Sequence, residues 1–224
     1  MTKSVFITAT GTDIGKTYVS GLLVKKMRDY GFNCGYYKPV LSGGGKCNGK
    51  LFPGDCIHVV ETAGLDIEPM ECLSYCFEEA VSPHLASQRA GVNISIDKII
   101  SDYKTLSNKY EYLLIEGAGG ITCPIIGSEY LMWNLIKDLG VKTLLVADGG
   151  LGTINSVLTT VEYAINRNII IDGIILNNYD KENFMHRDNL KMVEKMTGVN
   201  VIATVGINDK DIGIPKRVIN NLFE

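Results

Sequence analysis

The tripeptide Gly15-Lys16-Thr17 closes the segment Thr8-Ala9-Thr10-Gly11-Thr12-Asp13-Ile14-Gly15-Lys16-Thr17, which follows a short apolar run and precedes residues with helical spacing. In that strand, loop, helix context, backbone N–H groups and a helix N-terminus surround an oligophosphate. A lysine there neutralises β and γ oxygens, and a threonine hydroxyl is a hard ligand for Mg²⁺. An ordinary turn before a helix has no use for Gly-Lys-Thr. The consensus spacing places glycine at position 10, where this chain has Thr10, so the loop is a variant.

Mg²⁺ needs further oxygen ligands, and two carboxylates are placed to supply them. Glu116 ends the apolar run Tyr112-Leu113-Leu114-Ile115 and precedes Gly117-Ala118-Gly119-Gly120, whose small residues permit close approach to phosphate. Asp55, in Phe52-Pro53-Gly54-Asp55-Cys56, stands directly before an expected helix, where a simple N-cap is an equal alternative. Lys38 ends the second apolar run in Tyr36-Tyr37-Lys38-Pro39-Val40. Pro39 is expected to stop regular pairing, with Ser42 following within reach of the same edge. A lone strand-end lysine is usually a surface charge. Beside a triphosphate, a fixed cation stabilises charge on a transferred phosphoryl group.

Positioning such groups requires a scaffold, and the chain has one. Short β-branched-rich runs (Ser4 to Thr8, Cys34 to Lys38, Tyr112 to Glu116, Lys142 to Ala147, Gly173 to Asn177, Asn200 to Val205) alternate with longer helical patterns. The spacing predicts helices over Lys16 to Tyr30, Ala80 to Arg89, Ile96 to Leu106, Tyr130 to Leu139, Thr153 to Asn166 and Glu182 to Thr197. That order indicates βαβ units and an α/β fold: a mostly parallel sheet with helices on both faces. The polar, glycine-rich stretch from Ser42 to Lys50 is expected to be a mobile loop.

The 224 residues, 46% of them hydrophobic, are expected to form one domain over 1–224. A net charge of -3, with both signs scattered, leaves no electrostatic footprint for nucleic acid. No run approaches the roughly 20 apolar residues that cross a bilayer, so a soluble protein without membrane association is expected. The cysteines Cys34, Cys47, Cys56, Cys72, Cys76 and Cys123 form no CxxC pair and no leader-like stretch precedes them, which fits cytosolic thiols. Cys72, Cys76 and His84 match no usual zinc spacing.

Taken in order, Thr12-Asp13-Ile14-Gly15-Lys16-Thr17, Tyr37-Lys38-Pro39-Val40-Leu41-Ser42, Gly54-Asp55, Ser82-Pro83-His84, Glu116-Gly117-Ala118-Gly119-Gly120 and Asn177 resemble the dethiobiotin synthase family along nearly the whole chain. The resemblance implies a P-loop NTPase-like cyclo-ligase, cytoplasmic and homodimeric. It joins CO₂ to 7,8-diaminopelargonate with ATP as co-substrate and Mg²⁺ as cofactor, in biotin biosynthesis. It puts Asp13, Ile14, Gly15, Lys16, Thr17 and Tyr18 around the phosphates, and Thr17, Asp55 and Glu116 on Mg²⁺. Thr12, Lys38 and Ser42 would meet the diamine or its carbamate, with Lys38 and Lys16 catalytic. Gly117, Ala118 and Gly119 would border the nucleotide, Asn177 would recognise adenine, and Val205, Gly206 and Ile207 would wall its pocket. Gly150, Leu151, Gly152 and Thr153 resemble the segment that binds the substrate carboxylate across the dimer interface; an ordinary glycine-rich connection is the alternative. Ala9, Asp13 and Asn208 depart from residues common in the family, and Asn208 replaces a frequent proline beside the adenine pocket. A ParA/MinD-like ATP switch shares the fold type, but usually carries an early loop lysine, and Thr8 to Gly15 has none. An amidotransferase-linked synthetase would need a glutaminase domain for which this length has no room.

Overall fold

The computed structural model describes residues 3–47 and 49–223. In chain order, β1 (Lys3–Ala9) leads through the phosphate loop into α1 (Lys16–Asp29) and β2 (Cys34–Ser42). A small hairpin of β3 (Gly45–Cys47) and β4 (Lys50–Phe52) is followed by α2 (Gly54–Ala63) and β5 (Leu73–Phe77). Next come α3 (Pro83–Ala90), α4 (Ile96–Lys109), β6 (Tyr112–Glu116), a second hairpin of β7 (Pro124–Ile126) and β8 (Tyr130–Leu131), and α5 (Met132–Leu139). The chain ends with β9 (Lys142–Asp148), α6 (Thr153–Ile165), β10 (Ile171–Asn177), α7 (Phe184–Thr197), β11 (Val201–Thr204) and α8 (Lys216–Leu222).

Seven strands form one sheet in the order β11-β10-β9-β1-β6-β2-β5, and every neighbouring pair is parallel. Parallel strands covered on both faces are apolar throughout, with successive side chains pointing to opposite sides. Val5, Ile7, Leu114, Leu144 and Val146 therefore join α1, α2 and α8 in one buried cluster. Phe6, Leu113, Ile115, Leu145 and Ala147 join α3, α4, α5, α6 and α7 in the other. The same alternation directs Tyr36 and Lys38 of β2, and Leu114 and Glu116 of β6, toward the α1 and α2 face. The register pairs Tyr36 with Leu114 and Tyr37 with Ile115, so Lys38 and Glu116 are the next residues along two adjacent strands.

Two expectations are corrected here. Pro39 does not end β2: the strand pairs with β6 as far as Tyr37 and with β5 from Lys38 to Ser42. Pro39, having no N–H to donate, sits at the hand-over between the two neighbours, where no ladder bond is lost. The glycine-rich stretch expected to be a loop instead contains the β3-β4 hairpin, with Gly45 opposite Phe52; Asn48 within it lies outside the described residues. Helix ends shift by small amounts: α3 begins at Pro83 rather than Ala80, because proline favours the first helical position.

Cys34, Cys56, Cys72, Cys76 and Cys123 are free thiols; Cys47 has no described side chain. Burial pushes Cys34 and Cys72 up to about 12, which makes them unreactive as thiolates. No helix among the described residues is long and apolar enough to cross a membrane.

Leu114, fully buried at the centre of β6, carries the α1-side packing. Leu114→Ala is expected to lower unfolding stability by about 2–5 kcal/mol in urea denaturation, through lost burial and the cavity left behind.

Candidate active site

The carboxyl ends of β1, β6 and β2 lie side by side, and a cavity of about 570 Å³ opens there. From the phosphate loop and α1 it collects Thr12, Asp13, Gly15, Lys16, Thr17 and Tyr18. β2 contributes Lys38 and Ser42, α2 contributes Gly54, Asp55 and His58, and the turn after β6 contributes Glu116, Ala118 and Gly119. Gly15 and Asp13 both have left-handed backbone (φ 89° and 59°), so the loop curls back on itself before α1 begins. No side chain caps α1 and no acid stands in its first turn. Its free N–H groups therefore face the cavity with their partial positive charge intact.

At the floor, Glu116 is fully buried and Lys38 nearly so. The Lys38 ammonium lies 2.6 Å from Glu116 Oε1 and 2.6 Å from Asp55 Oδ2. The Thr17 hydroxyl donates to Glu116 Oε1 at 2.8 Å, and the Tyr36 hydroxyl donates to Oε2 at 2.8 Å. Asp55 sits inside the first turn of α2 rather than capping it; Pro53 holds the N-cap position, and the carboxylate turns to Lys38 instead. Lys38 is likewise not a surface charge, nor is Glu116 a solvated strand end. Thr17, Asp55 and Glu116 thus bring hydroxyl and carboxylate oxygens to one place, a hard, anionic donor set that fits Mg²⁺. Lys16 reaches back over the loop and donates to the Gly11 carbonyl at 3.1 Å.

A family model described as an AAA domain matches residues 3–210. The ATP-dependent dethiobiotin synthetase BioD of Clostridium perfringens strain 13 is 47% identical over 226 residues, covering 100% of this chain and 98% of that one. The enzyme of the same name from Clostridium botulinum strain Eklund 17B is 44% identical, covering 100% and 99%. This chain belongs to the dethiobiotin synthetase family. It is accordingly a ligase by class. Among solved structures, a ParA family ATPase from Chlorobium tepidum matches with a TM-score of 0.57 at 12% identity, over 93% of this chain and 86% of the other. At that identity the likeness concerns the fold alone.

The remaining residues expected from the dethiobiotin synthetase resemblance lie apart from this cavity. Asn177, at the end of β10, is buried; its Nδ2 donates to the Ile14 carbonyl at 2.9 Å, and its Oδ1 has no partner among the described residues. Val205 points wholly into the core, whereas Gly206 and Ile207 line a separate hollow of about 520 Å³ with Tyr179 and Asp180. Ile14 and Gly117 support the loop from behind: Gly117 donates to the Ile7 carbonyl. Gly150, Leu151, Gly152 and Thr153 form the turn into α6, whose start has no side-chain cap and no acid in its first turn. Asn189 holds the Gly149 and Gly150 carbonyls, and Leu151 is 92% exposed. Sequence reasoning missed His58 and Tyr36. His58 follows Asp55 by one helical turn, so a firm boundary for α2 would have shown it; Tyr36 precedes Lys38 by two residues on one strand, the spacing of a shared face.

The two cavity lysines are shifted in opposite directions. Burial and the neighbouring Lys38 charge lower Lys16 to about 8, only partly offset by Glu116 and Asp55. Burial disfavours the Lys38 charge as well, but the adjoining Glu116 and Asp55 carboxylates overcome it and hold Lys38 above its ordinary value. Asp55 pays a desolvation penalty that Lys38 outweighs, so its carboxyl stays below the usual range. Because Lys16 binds its proton less tightly folded than unfolded, its contribution makes stability rise with pH between about 8 and the unfolded value of 10.5. The stability difference between the unsubstituted protein and Lys16→Met is expected to move in the favour of the former across that window, and the Lys16 ¹³Cε signal should titrate near pH 8 in NMR.

Proposed function

We propose that this chain converts 7,8-diaminopelargonate, CO₂ and ATP into dethiobiotin, ADP and phosphate, as a step of biotin biosynthesis. The observation that carries this reading is Lys38 buried between Asp55 and Glu116, in the same cavity as a Gly-Lys-Thr phosphate loop. A ligase of this kind must hold two anions together, the carbamate formed from amine and CO₂ and the γ-phosphate that it attacks. Like charges resist that approach, so the chief task of the protein is positioning and charge compensation.

The loop N–H groups and the start of α1 receive the β and γ phosphates, and Lys16 turns from the Gly11 carbonyl to their oxygens. A polyanion beside Lys16 favours its charged form and reverses the lowering that burial causes. Lys38, with Thr12 and Ser42 lining the same cavity, receives the diamine and its carbamate. Carbamate oxygen attacks the γ-phosphorus and ADP leaves, giving a carbamic-phosphoric anhydride. The second amine then attacks the carbonyl carbon, phosphate leaves and a proton is released, closing the five-membered urea. Thr17, Asp55 and Glu116 would hold Mg²⁺, which would supply charge neutralisation for the phosphates. Asn177 offers its unpaired Oδ1 to an adenine amino group, with Gly206 and Ile207 beside it. The start of α6, Gly150 to Thr153, offers free N–H groups to the substrate carboxylate from the second subunit of a homodimer; the exposed Leu151 suits such a contact. We place the enzyme, a single domain over 1–224, in the cytoplasm.

ADP formation with Mg·ATP and bicarbonate is expected to require the diamine and to yield a cyclic urea identifiable by its mass. ATP cleavage indifferent to the diamine would sink the reading. Lys16→Ala and Lys38→Ala are each expected to slow turnover by roughly 10²–10³-fold, the scale of losing one charge-stabilising donor. Lys38→Ala also leaves Glu116 buried without its cation, at a cost of about 3–5 kcal/mol, so rates are compared on protein shown folded by circular dichroism.

A further inference from the structure

We propose that Tyr36 is a positioning residue for the metal-binding carboxylate: its hydroxyl holds Glu116 Oε2 and thereby presents Oε1 to the cavity. The proposal deepens the functional reading above and rests on its assignment of Glu116 to Mg²⁺.

The two carboxylate oxygens have divided partners. Oε1 receives Thr17 at 2.8 Å and Lys38 at 2.6 Å, both cavity residues. Oε2 receives Tyr36 at 2.8 Å, and no other hydrogen bond among the described residues reaches it. The terminal torsion of a glutamate is broad and nearly two-fold, so an unheld carboxylate exchanges its oxygens freely. Tyr36 is 1% exposed and packed among Val5, Leu114 and the α1 residues, so its ring has no freedom to follow such a rotation. The phenol O–H is the donor here, because a carboxylate oxygen can only accept. Groups that orient a metal-binding side chain from behind typically govern metal affinity by one to two orders of magnitude.

Tyr37 provides the internal control. It is equally buried on the same strand but faces the other side of the sheet, where its hydroxyl meets Ser74 Oγ at 2.6 Å and donates to the Ile99 carbonyl at 2.9 Å. Loss of either hydroxyl removes a buried hydrogen bond, whereas only Tyr36 touches Glu116.

The test compares Tyr36→Phe and Tyr37→Phe in two assays. The first is binding of Mn²⁺ in the presence of a non-hydrolysable ATP analogue, read from the free-ion electron paramagnetic resonance signal. The second is the Mg²⁺ dependence of diamine-driven turnover. Tyr36→Phe is expected to weaken Mn²⁺ binding and raise half-saturating Mg²⁺ by roughly tenfold, while kcat at saturating Mg²⁺ stays near that of the unsubstituted enzyme. Tyr37→Phe should leave both unchanged. Wild-type metal affinity in Tyr36→Phe, or equal losses in both variants, would overturn the proposal, as would absence of Mn²⁺ binding by the unsubstituted protein. A measurement that needs no variant is the Tyr36 hydroxyl proton in ring-labelled protein: it should exchange slowly and shift when Mg²⁺ and the analogue are added, and an unmoved signal counts against the idea. If the unsubstituted protein makes no cyclic urea, the functional reading falls, while the Mn²⁺ and NMR arms still decide the role of Tyr36.

Discussion

A carboxylate with no solvent contact at the end of a central strand constrains everything around it. Glu116 cannot remain charged inside the protein unless donors surround it, and it draws them from separate elements: Tyr36 and Lys38 from β2 and Thr17 from α1. Asp55, on α2, meets the Lys38 ammonium from the other side. The β2-β6 register, the docking of α1 and the first turn of α2 are thereby tied to one ionised group. Fold stability and site geometry share the same few hydrogen bonds.

The neighbouring lysines show how environment divides one chemistry into two tasks. Lys38 has carboxylates on both sides and keeps its charge against complete burial; Lys16, lowered first by burial and then by the neighbouring Lys38 charge, binds its proton less tightly than an exposed lysine. A permanent cation and a cation that becomes fully charged on meeting a polyanion therefore stand in one cavity. Their difference follows from position alone, since the side chains are identical.

Much of this was legible in the residues, and the parts that were not have physical reasons. The alternating runs and the Gly15-Lys16-Thr17 context were enough for the parallel sheet and the loop, because period and punctuation are local properties. Glu116 at the end of its strand was placed correctly for the same reason. Strand β5 escaped notice because Leu73–Phe77 mixes polar and apolar residues at the edge of the sheet, where one side is not buried. The course of β2 through Pro39 depends on which neighbour pairs with each half of the strand, a tertiary fact that no local pattern contains. Lys38 and Asp55 could each be read as ordinary surface or capping residues, since only their mutual approach separates the readings. Tyr36 stood only as one member of a strand-like run, and it is core; its second task lies in a single oxygen atom.

The two residues that grip Glu116 from β2, Tyr36 and Lys38, sit on one face of a strand whose first half pairs with β6 and whose second half pairs with β5. The carboxylate is in effect held in forceps whose arms cannot open independently, because bending one means bending the sheet. The opposing groups, Thr17 donating to Glu116 from a loop-helix junction and Asp55 accepting from Lys38 at a helix tip, rest on helices outside the sheet. Whatever adjustment a passage from bound reactants to released products demands must come from the helical side, with the sheet serving as the fixed jaw.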